Sequence, residues 1–442
     1  MLNRRDFVKS GIAGSTLLTF GSTAPGFLAS TAQAAVAGED QILVVIELTG
    51  GNDGLNTVIP YGDDLYYKAR PKLGIRPTSV LKFDDHIGLN PALRPMESLL
   101  KEGRVAAVQG VGYPNPNRSH FESMDIWHSA DPTRKTKNGW LGRSMNMLKM
   151  PEGHVPAFHI SKQKLPLAME GSGAGVPTLH PNKKFDIQLA GDPAAYQDKK
   201  SQGTDRLQPE VDRENEKYKK RKQLIDELSG LGEEDVNEMF QFVRRTSVST
   251  LSSIDQLREI LKKDFRKPQG LAIYENNQYV YKREGLYYEM QLVAQMIKAG
   301  FGTRVYYLAI DGFDTHSNQL TAHAQLLSQL AVAIQQFDAV LRQAGQRDRV
   351  LLMTFSEFGR RVKENGGGTD HGAGSSMFVI GKGVKGGAVG EHPNLEKDKL
   401  NNGDLGFHTD FRQVYATILD KWLGCDSRRV LGGKFEHVDL FA

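Results

Sequence analysis

The run QILVVIEL at residues 41–48 is an almost unbroken apolar stretch rich in β-branched side chains. A strand with one wet face alternates apolar and polar residues. A strand that does not alternate is buried on both faces, as in a parallel sheet covered by helices on each side. The run stops at Thr49-Gly50-Gly51-Asn52-Asp53-Gly54, a loop built for sharp turning. Stretches of the same character lie at 104–108, 303–310, 349–355 and 376–380. Between them, helical spacing brings Leu292, Val293, Met296 and Ile297 onto one face. It does the same for Leu326, Leu330, Ile334, Phe337 and Leu341, and 411–422 reads as a third helix. This alternation predicts a three-layer α/β/α domain with a mostly parallel central sheet.

The segment 203–267 has a different texture, dense in Glu, Lys and Arg with a helical period. It reads as a helical insertion into a single α/β domain spanning 35–442, either a cap over a site or a solvated decoration. Before that domain, Asn3-Arg4-Arg5-Asp6-Phe7-Val8-Lys9 has the form of a twin-arginine export signal. A weakly apolar segment follows, and then Ala32-Gln33-Ala34, a small-x-small cleavage site. Residues 1–34 are therefore expected to be removed. The Tat translocase would be a partner during export, and the mature chain would be periplasmic or secreted.

The formal charge of +4 includes Arg4, Arg5 and Lys9 of the signal, so the mature chain is close to neutral. Nothing in that balance points to nucleic acid, and no later stretch has the length of a membrane span. Cys425 is the only cysteine, which excludes an intramolecular disulfide or a cysteine metal site. Any metal chemistry falls to His, Asp and Glu.

In open α/β sheets, ligands bind beyond the carboxyl ends of the strands, and here the polar residues gather there. Asn52 and Asp53 follow the first strand; Asn117, Arg118, Ser119 and His120 follow the second. Asp311, Asp314 and His316 follow the third, and Glu357 and Arg360 the fourth. Asp370-His371 sits in a glycine-rich loop before the fifth. Singly, each has an ordinary role as turn, cap or hydrogen-bonded histidine. Jointly they read as a divalent-metal site of carboxylates and imidazoles, with a metal-free polar network as the alternative. Gly381-Lys382-Gly383-Val384-Lys385-Gly386 matches a dinucleotide fingerprint in letters only. No helical period follows, so it reads as a turn.

Taken together, Val44–Pro60, Asn117–Trp127, Gly139–Arg143, Ile310–His316 and Thr354–Gly372 resemble a Tat-exported bacterial family of unknown function, domain of unknown function fifteen-oh-one. That family is grouped with the alkaline phosphatase and sulfatase superfamily. The resemblance implies an alkaline-phosphatase-like fold and a divalent ion (zinc, manganese or calcium) held at strand ends. The substrate it implies is a small-molecule or polymeric phosphate or sulfate ester. It implies Asp53 as the first-strand carboxylate and Ser119 as nucleophile, with Asp311 or Asp314 and His316 as an Asp–His pair. Arg118 and Arg360 would offer donors to the transferred group, and His120 would orient it or take a proton. Ser356-Glu357-Phe358 departs from the superfamily's Asp–His pair, because Phe358 cannot bind metal. Either Asp370-His371 supplies the missing imidazole or the second metal is absent. A non-catalytic relative that binds a glycan, polymer or protein is the alternative, and a redox-cofactor protein a more distant one. Ser119 with Glu122 also forms the Ser-x-x-Glu pattern of a capping box.

Overall fold

The computed structural model describes residues 41–150, 154–161, 163–173, 175–179, 271–275, 278–282 and 285–442. The segments expected to be a signal (1–34) and a helical insertion (203–267) lie outside the described residues.

The main sheet has nine strands: β1 (Ile42–Thr49), β2 (Val105–Gly112), β3 (Ala157–Ile160), β4 (Thr178–Leu179), β5 (Val305–Asp311), β6 (Val350–Phe355), β7 (Ser375–Gly381), β8 (Gly387–Val389) and β9 (Thr409–Asp410). Their order is β8-β2-β7-β6-β1-β5-β3-β4, with β9 paired to β2. β1 lies at the centre, parallel to both neighbours, with Val44 level with Tyr306 on one side and Leu352 on the other. Only β7 runs against the rest. The carboxyl ends of β1, β2, β5 and β6 therefore share one edge with the start of β7.

Alternate residues of β1 feed two cores. Ile42, Val44, Ile46 and Leu48 pack into a layer with α3 (Leu286–Lys298) and α4 (Gln319–Gln343). Leu43 and Val45 pack into a layer with α2 (His120–Ser129) and α5 (Phe411–Ile418). Each such side chain contributes about 1.5–3 kcal/mol by leaving water, which is why this strand tolerates no polar alternation. The architecture is the expected three-layer α/β/α with a mostly parallel sheet. Among the described residues no helix is long and apolar enough to cross a membrane. The glycine motif at 381–386 is a turn leading into β8, with no helix after it.

Candidate metal centre

Four loops meet at the shared edge. The loop after β1 approaches the others closely because residues 50 and 51 are glycines with positive φ (115° and 82°). A Cβ on Gly50 would strike the backbone nitrogen of Asp314, and one on Gly51 would enter the Phe358 ring. Side chains elsewhere would hold these loops apart.

Within this convergence, His120, Asp314 and His371 place one ligand-capable atom each within 4.8 Å of one another. His316 joins them, its Nε2 lying 3.0 Å from Asp314 Oδ1 and 3.1 Å from His371 Nε2. His371 Nε2 is 3.1 Å from Asp314 Oδ1, and His120 Nε2 is 3.6 Å from Asp314 Oδ2. The far side of each ring is held as well. His371 Nδ1 donates to the Arg118 carbonyl at 2.9 Å, and His120 Nδ1 to Glu357 Oε1 at 2.8 Å. His316 Nδ1 faces Asp370 at 3.4 Å. A carbonyl or carboxylate can only accept, so the neutral rings of His120 and His371 carry their proton on Nδ1 and turn a lone pair inward from Nε2.

The electrostatics of the cluster follow from its neighbours. Burial raises the Asp314 carboxyl, but the Arg360 hydrogen bond, His371 and the Arg360 charge outweigh it and hold it at about 2. The Glu357 hydrogen bond, opposed by partial burial, leaves His120 above its ordinary value. Phe358, buried, packs its ring 5.0 Å from His120 and 4.7 Å from His371 and walls the imidazoles on one side.

Several residues singled out in the sequence take other positions. Asp53 is buried in an ion pair with Arg70 (Nη1–Oδ2 2.6 Å) and also accepts from Gln319. Its other oxygen caps the short helix α1 (Gly54–Thr57) by accepting from Asn56. It is a structural carboxylate, with no lone pair turned to the cluster. Asp311 is exposed and accepts from the Gly312 N–H at 2.7 Å, as a turn residue does. Glu357 is fully buried behind His120, so it backs a ring and does not face the centre.

The two arginines are committed elsewhere. Arg118 pairs with the buried Asp404. Arg360 spends its guanidinium on the carbonyls of Gly50, Gly51, Phe313 and Thr369 and on Asp314 (2.7 Å). It ties loops together, and neither guanidinium is presented as an open anion clamp. Ser119 occupies the N-cap position of α2, yet its side chain makes no cap hydrogen bond. Glu122 accepts from Asn117 at 2.7 Å instead of reaching back, so no capping box forms. The Ser119 side chain is exposed, next to His120.

Sequence reasoning missed Arg70, Gln319 and His323, the partners that close the network around Asp53. No local motif marks them, because they come from positions 17 and more than 260 residues away.

Solved structures match the chain at low identity, among them the following three. A sulfatase, PsFucS1 from Pseudoalteromonas sp., matches at 11% identity and a TM-score of 0.35, over 93% of this chain and 72% of that one. A phosphonate monoester hydrolase from Silicibacter pomeroyi matches at 10% and 0.34, over 90% and 77%. Ps i-CgsB in complex with k-i-k-neocarrahexaose matches at 11% and 0.34, over 90% and 73%. At these scores the likeness assigns no residue and no activity. No curated protein matches the sequence. The family described as "Protein of unknown function (DUF1501)" matches residues 96–437, and the chain belongs to it.

Proposed function

We propose that this protein is an exported hydrolase of phosphate or sulfate esters that depends on one divalent ion held by His120, Asp314, His316 and His371. The observation that carries this reading is the convergence of three Nε2 atoms on one carboxylate. The three Nε2 atoms stand 3.0–3.6 Å from an Asp314 oxygen, spacings that suit an ion binding imidazole and carboxylate at about 2.0–2.2 Å. Three imidazoles favour zinc or another first-row transition metal over calcium, which takes oxygen ligands. A bound ion would polarise an ester oxygen and lower the pKa of an attacking hydroxyl.

The chain's own contributions are distinct from the ion's. Ser119 presents an exposed hydroxyl beside His120 and is the proposed nucleophile. Arg360 holds Asp314 in place and balances its charge. Glu357 and the Arg118 carbonyl keep the Nδ1 protons of two rings. The ester class follows from the family resemblance, and export from the residues at 1–34. A second reading, a metal-binding protein without turnover, is favoured by the commitment of both arginines to Asp404 and to loop carbonyls.

Assaying the exported, metal-loaded protein on aryl phosphates and aryl sulfates tests the proposal. Chelator-sensitive turnover that Ser119→Ala abolishes is the expected result. Stoichiometric metal with no turnover of either ester class would leave the second reading standing.

A further inference from the structure

Glu357 is the one carboxylate at this edge that is fully buried (0% exposed) and paired with neither lysine nor arginine among the described residues. Taking an unpaired carboxylate out of water is expensive unless its lone pairs are filled. Here two N–H groups fill those of Oε1, and the Ser356 hydroxyl, which also faces the Leu48 carbonyl at 2.6 Å, stands beside Oε2. Oε1 accepts the Gly50 N–H at 2.9 Å and the His120 Nδ1–H at 2.8 Å, and the Ser356 hydroxyl lies 2.9 Å from Oε2. Ser356 in turn accepts the Asn52 N–H at 2.9 Å. The carboxylate is therefore fixed by the backbone of the loop after β1 and by its own neighbour just past the end of β6. A group held this firmly can dictate the orientation of the His120 ring it touches.

We propose that Glu357 is a positioning residue, which fixes the His120 ring so that its Nε2 faces Asp314 and His371 and so tunes the affinity of the metal centre. The proposal rests on the metal-centre reading above. A carboxylate behind a ligating imidazole fixes its tautomer and raises its basicity, and losing such a partner costs about 10- to 100-fold in metal affinity. Asp370 faces His316 in the same sense but differs in both distance and setting. It stands 3.4 Å away, and its side chain is 58% exposed, where water competes for the same proton. The ranking is therefore Glu357 well above Asp370.

The test is a double-mutant cycle on Zn²⁺ affinity, measured by competition with a chromophoric chelator. Glu357→Gln keeps the volume and an acceptor while removing the charge. It should weaken Zn²⁺ binding about 10- to 100-fold, and Asp370→Asn should weaken it far less. In a His120→Ala background, Glu357→Gln should cost nothing further, because the ring it orients is gone. Selective ¹⁵N-histidine NMR of the unmutated, Zn²⁺-loaded protein supplies a readout that does not depend on the variant folding. The His120 proton should sit on Nδ1. A proton on Nε2 would overturn the proposal. So would undiminished affinity in Glu357→Gln, or an equal loss with and without His120. If the unmutated protein takes up no Zn²⁺ at all, the metal-centre reading falls first and this proposal with it.

Discussion

Two carboxylates stand at neighbouring strand ends, each with an arginine and a histidine nearby, and they end in opposite situations. Asp53 is 1% exposed and its neighbourhood is closed. Arg70 gives Nη1 to Asp53 and Asn56, and its remaining nitrogens to the carbonyls of Val362 and Arg361. His323 turns its Nε2 to Asn52 Oδ1 at 2.9 Å, leaving no lone pair directed at the carboxylate. Asp314 is half-exposed, and three imidazole edges point at it, two of them with the outer nitrogen already occupied. The same residue types make a cross-brace in one place and, on the proposed reading, an ion cradle in the other. What separates them is which face of each ring is spent on the protein.

That contrast can be broken or sharpened by experiment. The largest effect should come from Asp53→Asn, which leaves Arg70 buried beside a neutral partner. A loss of about 3–5 kcal/mol in chemical denaturation is expected, with the metal stoichiometry of the folded fraction unchanged. Loss of metal at preserved stability would instead move Asp53 into the centre.

Next in size is the ion itself. A metal present at a thousand times its dissociation constant stabilises the fold by about 4 kcal/mol, so excess chelator should lower the melting temperature of the loaded protein. In His371→Ala the chelator should do nothing, because the cradle is already open.

Acid should act on the closed network first. Burial, only partly offset by the Asp53 charge, holds His323 down at about 4. The unfolded chain takes up that proton near 6.5, so between these values acid favours unfolding, by on the order of 3 kcal/mol at the lower end. Replacing His323 with Gln should flatten the stability profile across this window. Asp314, held at about 2, stays ionised throughout it. The apo cluster has the reverse sign. The raised His120 supplies stability that is present below 6.5 and lost as pH climbs through its folded value.

Ser119→Ala should be the smallest effect on stability, within about 0.5 kcal/mol, because no cap bond is lost. A loss near 1 kcal/mol in thermal unfolding would mean that the side chain caps α2 in solution after all.

The sheet was legible because unbroken β-branched runs such as 42–48 have one stable place, between two helical layers. The single reversed strand β7 was not, since Ser375–Gly381 is as apolar as its parallel neighbours and direction leaves no mark on composition. The edge that carries the site was legible from Asp314, His316 and His371. His120 was read as orienting a substrate group or taking a proton; that its Nε2 stands 3.6 Å from Asp314, almost two hundred residues away, leaves no mark in the sequence. Asp53 and Arg360 were noticed for their charge. Their tasks are set by Arg70 and by backbone carbonyls, which no spacing in the chain reveals.

The central claim is tested most directly by elemental analysis of the purified protein, beside His316→Ala and His371→Ala. One first-row transition-metal ion per chain is expected, lost in both variants, with Asp53→Asn retaining it. An unmutated protein without a stoichiometric ion, or variants that keep it in full, would contradict the account.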